Sequence, residues 1–505
     1  MRNTRLMPAA LASALCLAAC QPATPVADTE AGAYRFGDIG FKSCVLGGER
    51  GMPTVEAQCG SFEVAENPEA PDGRRIALNI AWLPASGKGG GSDDPVFFLA
   101  GGPGQAATDV APVVDMALRD VRKQRDIILV DQRGTGGSNP LDCRDADGEP
   151  LQLDPADAAD SAATEAFLGQ CLRSLEGRAD PRFYTTAHAI ADLDTVRQAL
   201  GAERINLVGG SYGTRVAQQY AMHYPAHTRS VVLDGVAPNR LVVGGEFARM
   251  LDRALQRQDA QCAAQEACKN RFGDDLIGRI RALESKLGEN PVEVAYHHPT
   301  THAPDTDTLG AETVVGLVHG VSYVPQLSAL LPLVVDEAED GRYQPLMSLA
   351  QLWSGQMEGM MSFGMQRSVV CAEDAPRYVP DPADADTLMG AEAGSRFFSG
   401  CADWPTGKVD ADFTEPYGGD IPTLLLSGEL DPVTPPEYGE EVVKGLSNAR
   451  HFSLKGQGHG VMGVGCMPRL LAQFVESTDP GALDASCLDS LDYVPPFTSY
   501  NGWEP

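Results

Sequence analysis

Three side chains in this sequence have the types and the order needed for acyl transfer: Ser211, Asp431 and His459. A serine hydroxyl is a poor nucleophile near neutral pH. It needs a base to take its proton, and the base needs a carboxylate that fixes its tautomer and balances its charge. Ser211 lies in Gly209-Gly210-Ser211-Tyr212-Gly213, a G-x-S-x-G pattern. Arg204 to Val208 reads as a short buried strand, and Thr214 to Tyr224 as a helix. A serine on so sharp a strand-to-helix turn has its hydroxyl pushed into the open, and flanking glycines relieve the crowding. Asp431 follows the apolar run Leu424-Leu425-Leu426. Glu429 and Asp234 are rival acids. His459 stands in Gly456-Gln457-Gly458-His459-Gly460, a loop able to lower an imidazole onto the serine.

A developing oxyanion needs two main-chain N–H donors. Tyr212, the residue after the nucleophile, is one candidate. The other is Gly102, in Gly101-Gly102-Pro103-Gly104 directly after the strand-like Pro95 to Leu99. Further strands are predicted at Arg75–Leu83, Asp126–Val130, Leu207–Val208, Ser230–Leu233, Pro422–Leu426 and Ala449–Leu454. Helical stretches lie between several of them, such as Ala187–Leu200 closed by Gly201. Apolar strands alternating with helices imply an α/β protein with a mostly parallel sheet covered on both faces. The alternation breaks from about Asn239 to Thr414, where Glu246–Gln258 and Leu276–Leu287 read as helices. This region is expected to be a helical cap inserted between two strands. His297, His298 and His302 within it read as a solvated loop, and no metal site is assigned.

The motifs Gly101 to Gly104, Asp131-Gln132-Arg133-Gly134-Thr135-Gly136-Gly137-Ser138 and Gly209 to Arg215 together resemble the proline iminopeptidase and tripeptidyl aminopeptidase family. The surroundings of Asp431 and His459 resemble that family's TAP-like C-terminal region. The resemblance covers roughly residues 34–238 and 415–490. It implies the α/β-hydrolase fold, with Ser211, Asp431 and His459 as triad, Gly102 and Tyr212 as oxyanion donors, and no cofactor. It also implies acidic side chains that hold a substrate's free α-amine, for which Glu373 and Asp374 beside Cys371 are the candidates. Ala100 stands where the iminopeptidases carry His, which turns the resemblance toward the tripeptidyl-type or exported branch. Arg133 is expected to pair with a carboxylate and hold its loop.

The N-terminus is a targeting segment. Arg2 and Arg5 precede an apolar run, Leu6 to Leu17, that is too short to span a bilayer. Leu17-Ala18-Ala19-Cys20 resembles a bacterial lipobox, with Cys20 as the acylated residue, and Gln21 after it points to the outer membrane. The expected organisation is signal peptide 1–19, tether 20–33, hydrolase core 34–238, cap 239–414 and C-terminal core 415–505. The partners are then a peptide with a free N-terminus and, through the lipid, a membrane. A formal charge of −30 argues against nucleic acid, since nothing would neutralise phosphates. Of twelve cysteines, ten remain beyond Cys16 and Cys20. They form near-neighbour pairs along the chain: Cys44 and Cys59, Cys143 and Cys171, Cys262 and Cys268, Cys371 and Cys401, Cys466 and Cys487. This suggests sequential disulfides in an oxidising compartment.

The leading expectation is an exported serine exopeptidase of the aminopeptidase kind. A carboxylesterase or amidase of the same fold would use the same triad. A lipid-tethered binding protein that kept the fold without the activity is the alternative from another class.

Overall fold

The computed structural model describes residues 33–48, 51–87, 91–145, 147–151 and 161–502. The expected targeting segment, Cys20 and nearly all of the expected tether lie outside them. The strands are β1 (Ala33–Phe36), β2 (Ile39–Gly47), β3 (Thr54–Ala65), β4 (Arg75–Leu83), β5 (Val96–Leu99), β6 (Ile127–Val130), β7 (Ile205–Gly210), β8 (Thr228–Asp234), β9 (Val292–His297), β10 (Pro304–Leu309), β11 (Thr423–Gly428) and β12 (Ala449–Leu454). Ten of them form one sheet in the order β1-β2-β3-β4-β6-β5-β7-β8-β11-β12.

The sheet has two halves. From β6 through β12 every neighbouring pair is parallel. The pairs from β1 to β6 are antiparallel. The parallel strands β5, β6 and β11 are buried along their whole length, whereas β2 and β3 alternate. Parallel strands need crossover helices, which cover both faces, so their sequences read as continuous apolar runs. Successive side chains feed two separate cores. Phe97, Leu99, Ile128, Val130, Leu207 and Leu425 pack on one face. Val96, Phe98, Ile127, Leu129, Val208 and Leu424 pack on the other.

Between β8 and β11 the chain leaves the sheet. Helices Phe247–Ala264, Leu276–Glu289, Ala311–Val321, Leu331–Glu339 and Gln344–Met357 close around a core of their own that includes Leu251, Ile280, Leu317, Val334 and Leu346. Two features differ from the expected cap. The histidine-bearing stretch is a β-hairpin, β9 paired antiparallel with β10. There His298 Nδ1 accepts the Thr300 and Thr301 N–H groups, and His297 Nδ1 meets the His302 carbonyl, so two of these side chains organise the turn. The second difference concerns the far end of the insertion. Helix Phe363–Glu373 buries Met365, Val369, Val370 and Cys371 in the core of the sheet, together with Phe398 and Trp404. Helix Phe363–Glu373 is therefore part of the main body, whereas further along the chain Leu388 returns to the cap core and its N–H donates to Asp252 of helix Phe247–Ala264.

Disulfides join Cys44–Cys59, Cys143–Cys171, Cys262–Cys268, Cys371–Cys401 and Cys466–Cys487. All five connect sequence neighbours in the expected pairing.

Candidate active site

The site is built at the carboxyl ends of β7, β8, β11 and β12, with the loop after β5 beside them. Ser211 follows β7 and caps the helix Tyr212–His223, with φ +55° and ψ −124°. A residue with a Cβ reaches that conformation only when its surroundings hold it there. Ser211 N–H donates to the Asp234 carbonyl at 2.8 Å. Thr214 Oγ1 donates to the Ser211 carbonyl and accepts the Ala237 N–H. A Cβ on Gly209 would lie 2.4 Å from the Gly213 carbonyl oxygen, and one on Gly213 only 2.1 Å from that of Leu99. The two outer glycines of G-x-S-x-G are thus required by close backbone approach.

The acid and base loops are wound together beyond β11 and β12. Leu430 N–H donates to the Gln457 carbonyl, and a Cβ on Gly428 would overlap the Gly458 carbonyl. His459 Nδ1 meets Asp431 Oδ2 at 2.7 Å. Asp431 is buried and also accepts the Val433 and Thr434 N–H groups and the Thr434 hydroxyl. Burial alone would raise its pKa, but the His459 charge and these bonds hold it below the ordinary carboxylate value. Burial pulls the His459 pKa down; the contact with Asp431 outweighs it and leaves the imidazole above its ordinary value. A base so biased accepts a proton readily at nitrogen.

Ser211 and His459 flank the same peptide. Gly235 follows the Asp234 carbonyl that receives the Ser211 N–H, and a Cβ on Gly235 would sit 3.0 Å from His459 Cε1. The rival acid Asp234 is occupied elsewhere: its buried carboxylate accepts the N–H groups of Val461 and Met462, just beyond the histidine. Burial pushes its pKa up to about 6. Glu429 ties down Gly456 N–H and the Tyr493 hydroxyl.

The loop after β5 passes directly over the serine. The Cβ position of Gly101 is 3.1 Å from Ser211 Cβ and 3.6 Å from its Oγ. Gly102 has φ +106° and is followed by a cis peptide bond to Pro103. Gly101 N–H points to Gln105 Oε1 at 3.4 Å. Tyr212 occupies the first helical position, where a main-chain N–H has no acceptor within its own helix. The Asp131–Ser138 loop supports this arrangement from below. Asp131 accepts from Thr108, Asn79 and Gly137. Arg133 makes a two-pronged pair with Asp192 at 2.6 Å and caps the Glu66 and Phe183 carbonyls.

Glu373 and Asp374 stand differently from the expectation that they hold a substrate amine. Both are buried and their oxygens are committed within the chain. Asp374 pairs with Arg215 and Arg377 and accepts the Val243 N–H. Glu373 accepts the N–H and the hydroxyl of Thr186. Burial pushes the Glu373 pKa up to about 7. Sequence reasoning missed Thr434, which bridges Asp431 and His459 at 2.8 and 3.1 Å. Its place three residues after an aspartate in a turn was a legible signal. It also missed Tyr323 of the cap, whose carbonyl accepts the His459 N–H at 3.0 Å and whose ring lies edge-on to the imidazole at 5.1 Å. No motif announces that contact.

Comparison with known proteins agrees with this geometry. A profile described as alpha/beta hydrolase fold matches residues 94–263, and one described as TAP-like protein matches residues 386–487. The chain is 27% identical over 422 residues to the serine protease Hip1 of Mycobacterium tuberculosis, covering 77% of this chain and 79% of that one. It is 30% identical over 196 residues to a tripeptidyl aminopeptidase of Streptomyces lividans, 36% of each chain. It is 29% identical over 228 residues to a proline iminopeptidase of Xylella fastidiosa, covering 45% of this chain and 54% of that one. With this sheet order, a serine on the elbow after β7 and a carboxylate–histidine pair after β11 and β12, the chain has the α/β-hydrolase fold with a TAP-like C-terminal part, and is a serine hydrolase.

Proposed function

We propose that this serine hydrolase is an exported aminopeptidase that releases N-terminal units from peptides. The observation that carries the reading is the Asp431–His459 contact at 2.7 Å, seated against the peptide that anchors Ser211. Ser211 Oγ attacks the carbonyl carbon of the scissile bond while His459 Nε2 takes its proton. The oxyanion is met by the N–H groups of Tyr212 and Gly102. The imidazolium gives its proton to the leaving amine, and an acyl-enzyme remains. Water, deprotonated by His459, then releases the acyl unit and restores the serine. The resemblance to peptidases supports a peptide substrate. Five disulfides support an oxidising compartment, and the Cys20 lipobox supports a membrane anchor.

Initial rates on peptidyl amides with a free and with an acetylated N-terminus test the reading. Strong preference for the free amine is expected, with activity abolished in Ser211→Ala. Equal rates on both would replace the aminopeptidase with an esterase or amidase. Export and lipidation are checked by incorporation of labelled fatty acid, which Cys20→Ala should remove.

A further inference from the structure

The residue after the nucleophile has to hold its N–H still. Its neighbour Ser211 is already in a backbone conformation that only the surroundings maintain. Tyr212 is anchored by its own side chain. The buried phenol lies 2.6 Å from Thr186 Oγ1, and Gln132 Nε2 approaches the same oxygen at 3.4 Å. Thr186 Oγ1 also lies 2.8 Å from Glu373 Oε2, while Thr186 N–H donates to Glu373 Oε1 at 2.7 Å. Four elements meet here: the loop after β6, the start of helix Thr186–Ala199, the elbow helix and the end of helix Phe363–Glu373.

The direction of the bonds follows from the ends of the chain. With Glu373 ionised, its carboxylate can only accept, so the single hydroxyl proton of Thr186 goes to Glu373. Thr186 Oγ1 must then accept from Tyr212, and the Tyr212 oxygen is left to accept from the Gln132 amide. In that ionised state every proton has one place, which gives the phenol one orientation. Three residues after Tyr212, Arg215 pairs with Asp374 and donates to the Leu241 carbonyl, holding the same helix a turn later.

We propose that Glu373 and Thr186 are positioning residues for the oxyanion N–H of Tyr212, acting through its phenol. The proposal rests on the reading of Ser211 as nucleophile and Tyr212 as oxyanion donor. It accounts for a carboxylate buried against the main body, and it gives Gln132 of the Asp131–Ser138 motif a role.

The test compares Tyr212→Phe, Glu373→Gln, Thr186→Val and Thr186→Ser in the full-length protein. Readouts are kcat and KM on a peptidyl amide, the rate of fluorophosphonate labelling, and thermal unfolding. Tyr212→Phe, Glu373→Gln and Thr186→Val should each lower kcat about tenfold with KM unchanged, less than the ~10²–10³ lost with an oxyanion donor itself. Thr186→Ser, which keeps the hydroxyl, should restore kcat. The Tyr212→Phe/Glu373→Gln double variant should be no slower than the slower single one, since both cut one chain of bonds. Unchanged kcat in Tyr212→Phe, or multiplied losses in the double variant, would overturn the proposal even if Glu373→Gln unfolds. Ser211→Ala is the separate control: activity surviving there would overturn the nucleophile assignment instead.

Discussion

The sheet body and the cap hold apolar cores of comparable dryness, yet they meet the chemistry in opposite ways. The body delivers Ser211, Asp431 and His459 from strand ends, and it holds each loop by bonds to neighbouring strands. The cap reaches the catalytic loops through the Tyr323 carbonyl on His459 N–H, the Tyr323 ring on the imidazole, Pro325 beside Gly458 and Arg257 on the Glu429 carbonyl, and Arg253 and Arg257 pair with Glu437 just beyond the acid loop. The segment just past it, Met361 and Ser362, borders the loop after β5, with Ser362 N–H on the Gly104 carbonyl at 2.9 Å. Bond-making geometry therefore belongs to the body, and the cap acts on it through a seam at the acid and histidine loops. Changes in the body should damage kcat most, and changes in the seam should have smaller effects on kcat and KM together.

The largest effect should come from Ser211→Ala, which leaves folding intact and lowers kcat by about 10⁶; steady-state rates on any substrate the wild type cleaves will show it. Next, Asp431→Asn should lower kcat by about 10⁴, because the imidazole loses the partner that fixes its tautomer. This pair also sets the pH dependence. His459 must be neutral to take the serine proton, so activity falls as pH drops through its raised pKa. The acid limb of kcat/KM should lie above the ordinary histidine value of 6.5 and move down in Asp431→Asn.

The seam comes third. In Gly458→Ala the new methyl would lie 2.3 Å from the Tyr323 carbonyl oxygen, so the cap or the histidine loop must shift. Turnover is expected to fall by about 10²-fold, the scale of a misplacement of about 1 Å. An unchanged rate would show that the cap does not constrain His459. The smallest effects concern disulfides and stability alone. Cys371–Cys401 closes a separation of 30 residues in the body, and Cys262–Cys268 closes one of 6 in the cap. Replacing both cysteines by serine should cost about 3.5 kcal/mol for the first and about 2 kcal/mol for the second, by loop entropy. Denaturant unfolding measures both, and the reverse order would mean that native packing, rather than loop length, governs them.

The sheet was largely legible because its parallel strands are buried on both faces. Strands such as Phe97-Phe98-Leu99 and Ile127 to Val130 have to be unbroken apolar runs. Ser211, Asp431 and His459 were legible for a related reason, since each sits in a glycine- or proline-bearing loop directly after such a run. The cap was read less well. β10 is exposed except at Leu309, so no apolar alternation marked it as a strand, whereas β9 does alternate, with Val292, Val294 and Tyr296 against the cap core, a short signal that was passed over. Helix Phe363–Glu373 looked like its neighbours in sequence, and only the partners it buries assign it to the body. Glu373 and Asp374 show the same limit: an acidic pair beside a cysteine carries no mark of whether it faces a ligand or an arginine.

Residue type and order by themselves determined the chemistry available here: one serine on a glycine-relieved elbow, one acid, one histidine, and ten cysteines in adjacent pairs. Those are properties of short segments, where backbone sterics and apolar runs act over a few residues. Tertiary structure alone decided who meets whom across the chain. It placed Tyr323 on His459, Asp234 on the histidine loop, and Glu373 on Thr186 and Tyr212. A buried polar group must find a partner, but which partner depends on packing that no local pattern encodes.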